Sequence, residues 1–147
     1  MNANSICAIQ RAQHEDCEPI ADLSGQLGYP STSVQIAERL SLMENNPNHA
    51  VFVAKDIDAV VGWAHVVMEL HLESGTFAEL VGLVVDEHHR GDGVGRQLVE
   101  TVEQWARDRG CGEMRVRTNV VRERTHKFYK QIGYELKKQQ KVFGKTL

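Results

Sequence analysis

Arg90-Gly91-Asp92-Gly93-Val94-Gly95-Arg96 lies between an apolar run, Glu79-Leu80-Val81-Gly82-Leu83-Val84-Val85, and an amphipathic pattern that begins near Gly95. Strand, glycine loop and helix in that order make a holder for phosphate. Glycine lets the backbone approach a ligand and take positive φ at little steric cost. The first N–H groups of a helix lack internal partners and carry partial positive charge, so an anion binds well there. The competing reading of such a stretch is an ordinary glycine-rich turn.

Two nucleotide loops fit poorly. The P-loop needs Lys and then Ser or Thr after its last glycine, and Arg96-Gln97 follow here. The dinucleotide fingerprint wants G-x-G-x-x-G directly after a strand. Here Gly91, Gly93 and Gly95 are spaced by two, and Asp86 to His89 separate strand from loop.

Outward from the loop, periodicity predicts the elements. Toward the C-terminus, Leu98, Val99, Val102, Trp105 and Ala106 form one stripe of a helix over Arg96–Arg109, with Gly110 as its cap. Met114–Thr118 alternates as a strand. A helix over Arg122–Ile132 ends at Gly133, and Tyr134–Leu136 with Gln140–Phe143 suggest a final hairpin. Toward the N-terminus, Phe77–Val85 reads as a central buried strand. Gly82 within it signals a bulge or a close approach, and Glu79 is a carboxylate in an otherwise buried run.

Earlier still, Ile6–Arg11 reads as an edge strand. Helices are expected over His14–Leu27 and from a Ser31 or Ser33 cap to about Glu44. His49–Lys55 and Val60 to about Leu72 read as strands around a turn at Asp56-Ile57-Asp58-Ala59. Even positions of the second strand are apolar or Gly. Trp63, His65, Glu69, His71 and Glu73 take the other face. Glu69, His71 and Glu73 admit three readings: a solvated face, an acidic wall for an amine, or metal ligands.

The 147 residues suit one domain, 1–147. No run approaches the about 20 apolar residues that span a membrane, and no signal peptide is expected. Cys7, Cys17 and Cys111 are an odd, scattered set, read as reduced thiols of a cytoplasmic protein. The net charge of −3 argues against a general nucleic-acid binder. Residues 113–147 carry +7 and the remainder −10, which suits an anionic cofactor on one side and a cationic substrate on the other.

Arg90-x-x-Gly93-x-Gly95 resembles the Arg/Gln-x-x-Gly-x-Gly/Ala loop of the GNAT N-acetyltransferases. Thr125-His126-Lys127-Phe128-Tyr129-Lys130-Gln131-Ile132-Gly133-Tyr134 is similar to that family's helix with Phe-Tyr followed by Gly-Phe/Tyr. The order of elements matches along nearly the whole chain. The resemblance implies an α/β (α+β) fold: a central mixed, mostly antiparallel sheet of about six or seven strands with about four helices. It also implies an acetyl-CoA-dependent N-acetyltransferase. Leu70-His71-Leu72, Glu79, Thr118-Asn119-Val120 and His126-Lys127-Phe128-Tyr129 look most like aminoalkylphosphonate N-acetyltransferases and their small-amine or aminoglycoside relatives. A protein or peptide acceptor and a non-catalytic CoA-binding module are the alternatives.

Site roles follow from the resemblance. The Leu83-Val84-Val85 backbone would meet the pantetheine arm, with the Val85 N–H at the acetyl carbonyl. Arg90, Gly91, Asp92, Gly93, Val94, Gly95 and Arg96 would form the pyrophosphate loop, and Asn119 would contact the cofactor. Glu79, eleven positions before Arg90, stands where the family often places a base. Tyr129 matches the general acid. The first two helices and their connection would border the acceptor, which brings Tyr29 and Pro30 near substrate, with Glu69 and His71 as further candidates. The mechanism needs no metal and no cysteine, and a homodimer is common in the family.

Overall fold

Five strands make one sheet in the computed structural model, which describes residues 7–118 and 122–147. The chain divides into two units, Met1–Val116 and Arg117–Leu147. The first holds β1 (Ala8–Arg11), α1 (Cys17–Gln26), α2 (Ser33–Glu44), β2 (His49–Asp56), β3 (Ala59–His71), β4 (Gly75–Val85), α3 (Val94–Asp108) and β5 (Met114–Val116). The strands lie in chain order. All neighbours are antiparallel except β4 and β5, which are parallel with α3 between them. β1 pairs only with β2, the edge position expected for it.

α3 covers the face that carries Gly62. A Cβ at Gly62 would stand 3.0 Å from the Val84 carbonyl oxygen and 3.1 Å from Leu98 Cδ1, so glycine is what lets the helix lie this close. The apolar stripe of α3 is buried as its period demands, with Val94 added to it. The helix begins at Val94, two residues before the expected start, because Gly93 supplies the turn at φ 84°. At its other end the Cys111 N–H bonds to the Ala106 carbonyl and the Gly110 N–H to Arg107. Those two bonds are a Schellman cap with Gly110 at φ 76°. α1 ends in the same way at Gly28.

Several boundaries differ from expectation. Thr32, rather than Ser31 or Ser33, caps α2: its hydroxyl accepts from the Gln35 N–H while the Gln35 side chain accepts from the Thr32 N–H. That is a capping box. β5 stops at Val116 instead of Thr118. β3 ends at His71, so Glu73 lies in the turn before β4 and not on the strand face. The odd-numbered face of β3 is solvated toward its end, at His71, but Val61 and Val67 are buried on it, and Trp63 and His65 half-buried.

The β2–β3 turn is Ile57-Asp58, between the paired residues Asp56 and Ala59. Ile57 has φ 58° and is 90% exposed. A left-handed β-branched residue costs about 1–2 kcal/mol, and glycine is free of that cost. Ile57→Gly is therefore expected to raise stability by about 0.5–1 kcal/mol after glycine's larger chain entropy is counted, read by urea unfolding.

In the second unit α4 (Glu123–Gln131) ends in another Schellman cap. The Tyr134 N–H reaches the Tyr129 carbonyl, the Gly133 N–H reaches Lys130, and Gly133 has φ 99°. The expected terminal hairpin is absent: residues 134–147 form no strand among the described residues, which leaves five strands instead of six or seven. An alternating pattern makes a strand only where a ladder partner satisfies its backbone, and Val142 and Phe143 stay about 90% exposed.

Candidate active site

The break in β4 positions the first part of the site. His65 pairs with Gly82 but Val66 pairs with Leu80, so Val81 is an extra residue, a β-bulge. This is the irregularity that Gly82 signalled, and the close approach is present too. A Cβ on Gly82 would lie 2.7 Å from Trp63 Cζ3.

Beyond the bulge, β4 offers open backbone. The described β4–β5 ladder ends at Leu80 with Val116. The Asp86 N–H bonds to the Val61 carbonyl, which makes Asp86 and Val61 a hydrogen-bonded pair. Antiparallel alternation then turns both backbone groups of Val85, paired with Gly62, away from β3. Leu83 shares that orientation by the same period. Val84 alternates with them and is buried.

Asp86–His89, the four residues between strand and loop, are pinned. Gln26 of α1 donates to Asp86 Oδ1 at 3.1 Å and accepts from the Glu87 N–H at 3.1 Å. His89 bridges Asp86 at 3.0 Å and Asp56 at 3.5 Å. The Gln26 hydrogen bond, followed by His89, holds the Asp86 carboxyl below its ordinary pKa.

Then comes the loop. Gly91 and Gly93 have φ 89° and 84°, and a Cβ on either would meet nothing within 4 Å. No side chain caps α3, so the N–H groups of Val94, Gly95 and Arg96 stand at an uncapped helix start. The Arg96 side chain turns to Glu100 at 3.1 Å, leaving its amide as the group that faces the helix end. Arg90 and Asp92 are exposed. Open left-handed glycines and free helix amides fit a phosphate. Gly93→Ala is expected to weaken acetyl-CoA binding about five- to thirtyfold, because left-handed backbone costs Ala about 1–2 kcal/mol. Calorimetric titration reads that change.

Glu79 is 9% exposed, buried in β4 between Val67 of β3 and Arg115 of β5. Glu69 and His71 touch one another at 3.2 Å at the exposed end of β3. Among the described residues no group of three or more His, Cys, Asp or Glu is arranged to hold a metal ion. Tyr29 is 68% exposed, on the connection from α1 to α2 beside Pro30. Asn119 lies outside the described residues. In the second unit, Tyr129 is buried against Phe128 and Tyr134, with ring centroids at 5.1 and 5.6 Å. Burial pushes its phenol up to about 12, with the Arg122 charge opposing.

Sequence reasoning missed two features. One is the Gln26 clamp. The other is a contact between His49 Nδ1 and His65 Nε2 at 3.0 Å, on the same sheet face as Glu79. His65 was placed on its face by period two, but its partner required the register.

A bulged central strand with open backbone leads into a glycine loop on an uncapped helix, an arrangement able to hold a phosphorylated ligand alongside the strand. The profile of the Acetyltransferase (GNAT) family matches residues 8–134, and the chain belongs to that family of N-acetyltransferases, whose acetyl donor is acetyl-CoA. An aminoglycoside N(6')-acetyltransferase type 1 of Stenotrophomonas maltophilia is 34% identical over 136 residues, covering 89% of this chain and 88% of that one. The aminoalkylphosphonate N-acetyltransferase of Salmonella typhimurium is 29% identical over 136 residues, covering 88% and 86%. A solved aminoglycoside N-acetyltransferase in complex with CoA shares the fold, with a TM-score of 0.87 at 20% identity over 100% of this chain and 99% of that one.

Proposed function

We propose that this chain moves acetyl from acetyl-CoA to the primary amine of a small molecule, of aminoalkylphosphonate, polyamine or aminoglycoside type, by direct attack. The observation that carries the reading is Glu79: a buried carboxylate two residues before the bulge at Val81, on a strand that then turns the backbone of Leu83 and Val85 away from β3. The two relatives above, matched over most of the chain, are named for small amines.

An alkylammonium has a pKa near 10, so about one in a thousand is neutral at pH 7. Glu79 accepts the proton, directly or through a water, and the amine attacks the thioester. The Val85 N–H stabilises the oxyanion. The loop amides from Gly91 to Arg96 and Asn119 hold the cofactor, and Tyr29, Glu69 and His71 border the acceptor. Tyr129 hydrogen-bonds the departing sulfur and delivers a proton as charge develops. A full transfer from a phenol near 12 to a thiolate near 8.5 is uphill by about 5 kcal/mol, which couples proton delivery to bond breaking. One acetyltransferase domain spanning 1–147 is part of the reading, supported by a family match that runs through both units. So are a cytoplasmic location, with all three cysteines free, and assembly as a homodimer.

Titration calorimetry with acetyl-CoA tests the cofactor half, and absence of binding would end the proposal. Tyr129→Phe tests the acid. It is expected to lower kcat about tenfold or more with acetyl-CoA affinity kept. Because the phenol's pKa is raised, its protonated form persists as pH rises until about 12, so wild-type kcat should show no Tyr129-dependent alkaline limb below pH 10. A variant with wild-type kcat would remove Tyr129 from the chemistry.

A further inference from the structure

We propose that His65 and His49 form a proton exit for the transfer reaction, carrying the proton taken up by Glu79 across the sheet face to a cavity beside α2. The inference rests on the reading of Glu79 as proton acceptor. A carboxylate only 9% exposed needs a route by which its proton returns to solvent.

The register supplies the route. Glu79 pairs with Val67, and His65 is two residues from Val67 on the same face of β3. Diagonal neighbours of this kind are about 7–8 Å apart, within reach of two long side chains or of one bridging water. His65 in turn meets His49 of β2, Nε2 to Nδ1 at 3.0 Å, with the rings stacked at 5.2 Å. His49 lines a cavity of about 240 Å³ together with Arg11, His14, Leu40 and Glu44. Arg11, His14 and Glu44 are exposed, so the cavity reaches solvent.

Burial, with His49 adding to it, lowers the His65 pKa to about 4, so the ring is neutral at pH 7. A neutral imidazole has one donor and one acceptor nitrogen, as a relay needs. The charged or titratable groups around the relay are Glu79 on β4, Arg115 beside it on β5, Glu69 on β3, and Arg11, His14 and Glu44 at the cavity. The acids of α1, which packs on β3, are exposed, and the buried Asp16 just before that helix is paired with Lys55 at 3.2 Å.

The steps balance. In the resting pair His65 Nε2–H donates to His49 Nδ1, and His49 bears its proton on Nε2. The protonated Glu79 carboxyl loses its O–H proton to His65 Nδ1. His65 Nε2–H passes its proton to His49 Nδ1, and His49 Nε2–H releases one to water in the cavity. One proton enters and one leaves, and no charge remains. Each ring ends as the Nδ1–H tautomer, and between turnovers each gives its Nδ1 proton to water and takes one from water on Nε2, which restores the resting pair.

The test compares wild type, His49→Gln, His65→Gln and Glu79→Gln, each full length, with acetyl-CoA and the better of 2-aminoethylphosphonate and sisomicin. Both histidine variants are expected to lose about tenfold in kcat at pH 7, with KM for acetyl-CoA unchanged. The deficit should shrink to within about twofold at pH 9.5, where more amine arrives neutral. Added imidazole should restore part of the loss in His49→Gln. A deficit equal at every pH and untouched by imidazole means a structural role and overturns the relay. So does wild-type kcat in both variants, and if Glu79→Gln still fails, the base survives while the relay does not. Wild-type turnover in all three removes both ideas. Nitrogen-15 NMR of the histidine rings in the free protein is an independent check. It is expected to find His65 as the Nε2–H tautomer bonded to His49 Nδ1, and two Nδ1–H rings would overturn the relay without any acceptor.

Discussion

Glu79→Gln is expected to lower kcat about 10²–10³-fold at pH 7 while KM for acetyl-CoA changes less than threefold. The amide keeps the volume and one acceptor oxygen of the carboxylate, so the buried place in β4 stays filled, but it cannot take a proton. The Leu83–Val85 backbone and the glycine cradle lie on other residues, so donor binding is preserved. A loss of 10²–10³ corresponds to about 3–4 kcal/mol of transition-state stabilisation. The deficit should narrow as pH rises toward the amine's own pKa, because the solvent then does what Glu79 did. Steady-state kinetics from pH 6.5 to 10 separate that pattern from a folding defect, which would be flat across the range.

Gly82→Ala has the largest expected effect on stability. The added Cβ would lie 2.7 and 2.8 Å from Cζ3 and Cη2 of Trp63. These atoms belong to a rigid indole, so either the ring leaves its place or the bulge flattens. Overpacking of this kind costs about 1–3 kcal/mol, or a fall in Tm of about 3–10 °C for a chain of this size. Flattening would also return Val81 to the ladder and rotate Leu83 and Val85 relative to the ligand, so kcat/KM should fall more than the loss of folded protein explains. Gly112→Ala is the matched control, since a Cβ there meets nothing within 4 Å. Calorimetric scans of both variants, with activity measured well below Tm, check this expectation.

Legibility in the sequence followed the range of the interactions. The α3 stripe, the stops at Gly110 and Gly133 and the exposed glycine loop depend on residues within one or two turns of each other, and all stand where local period and turn chemistry put them. Gly82 announced a bulge, because glycine inside a strand is costly without a reason. Its reason, Trp63, lies on the neighbouring strand and required the register. The His49–His65 pair was hidden for the same reason, since a β2–β3 irregularity at Ala54/Lys55 separates simple counting from the true register. Thr32-x-x-Gln35 was readable as a capping box, yet two adjacent serines compete for the same place in a sequence. The C-terminal alternation misled, because alternation describes a face and says nothing of a partner to bond with. The site roles came from the loop and Phe128-Tyr129 motifs. The structure contributes what those motifs do not contain: the outward backbone of Leu83 and Val85, the Gln26 clamp and the burial of Glu79.

The most direct measurement is mass-spectrometric detection of acetylated product from the purified protein with acetyl-CoA and a panel of aminoalkylphosphonates, polyamines, aminoglycosides, amino acids and short peptides. Mass detection avoids thiol reagents, which would also meet Cys7, Cys17 and Cys111. The expected result is one acetyl group on a primary amine of a small molecule, formed by wild type and strongly reduced in Glu79→Gln. Acetylation of peptides alone, or no product from any amine by a protein that binds acetyl-CoA, would contradict it.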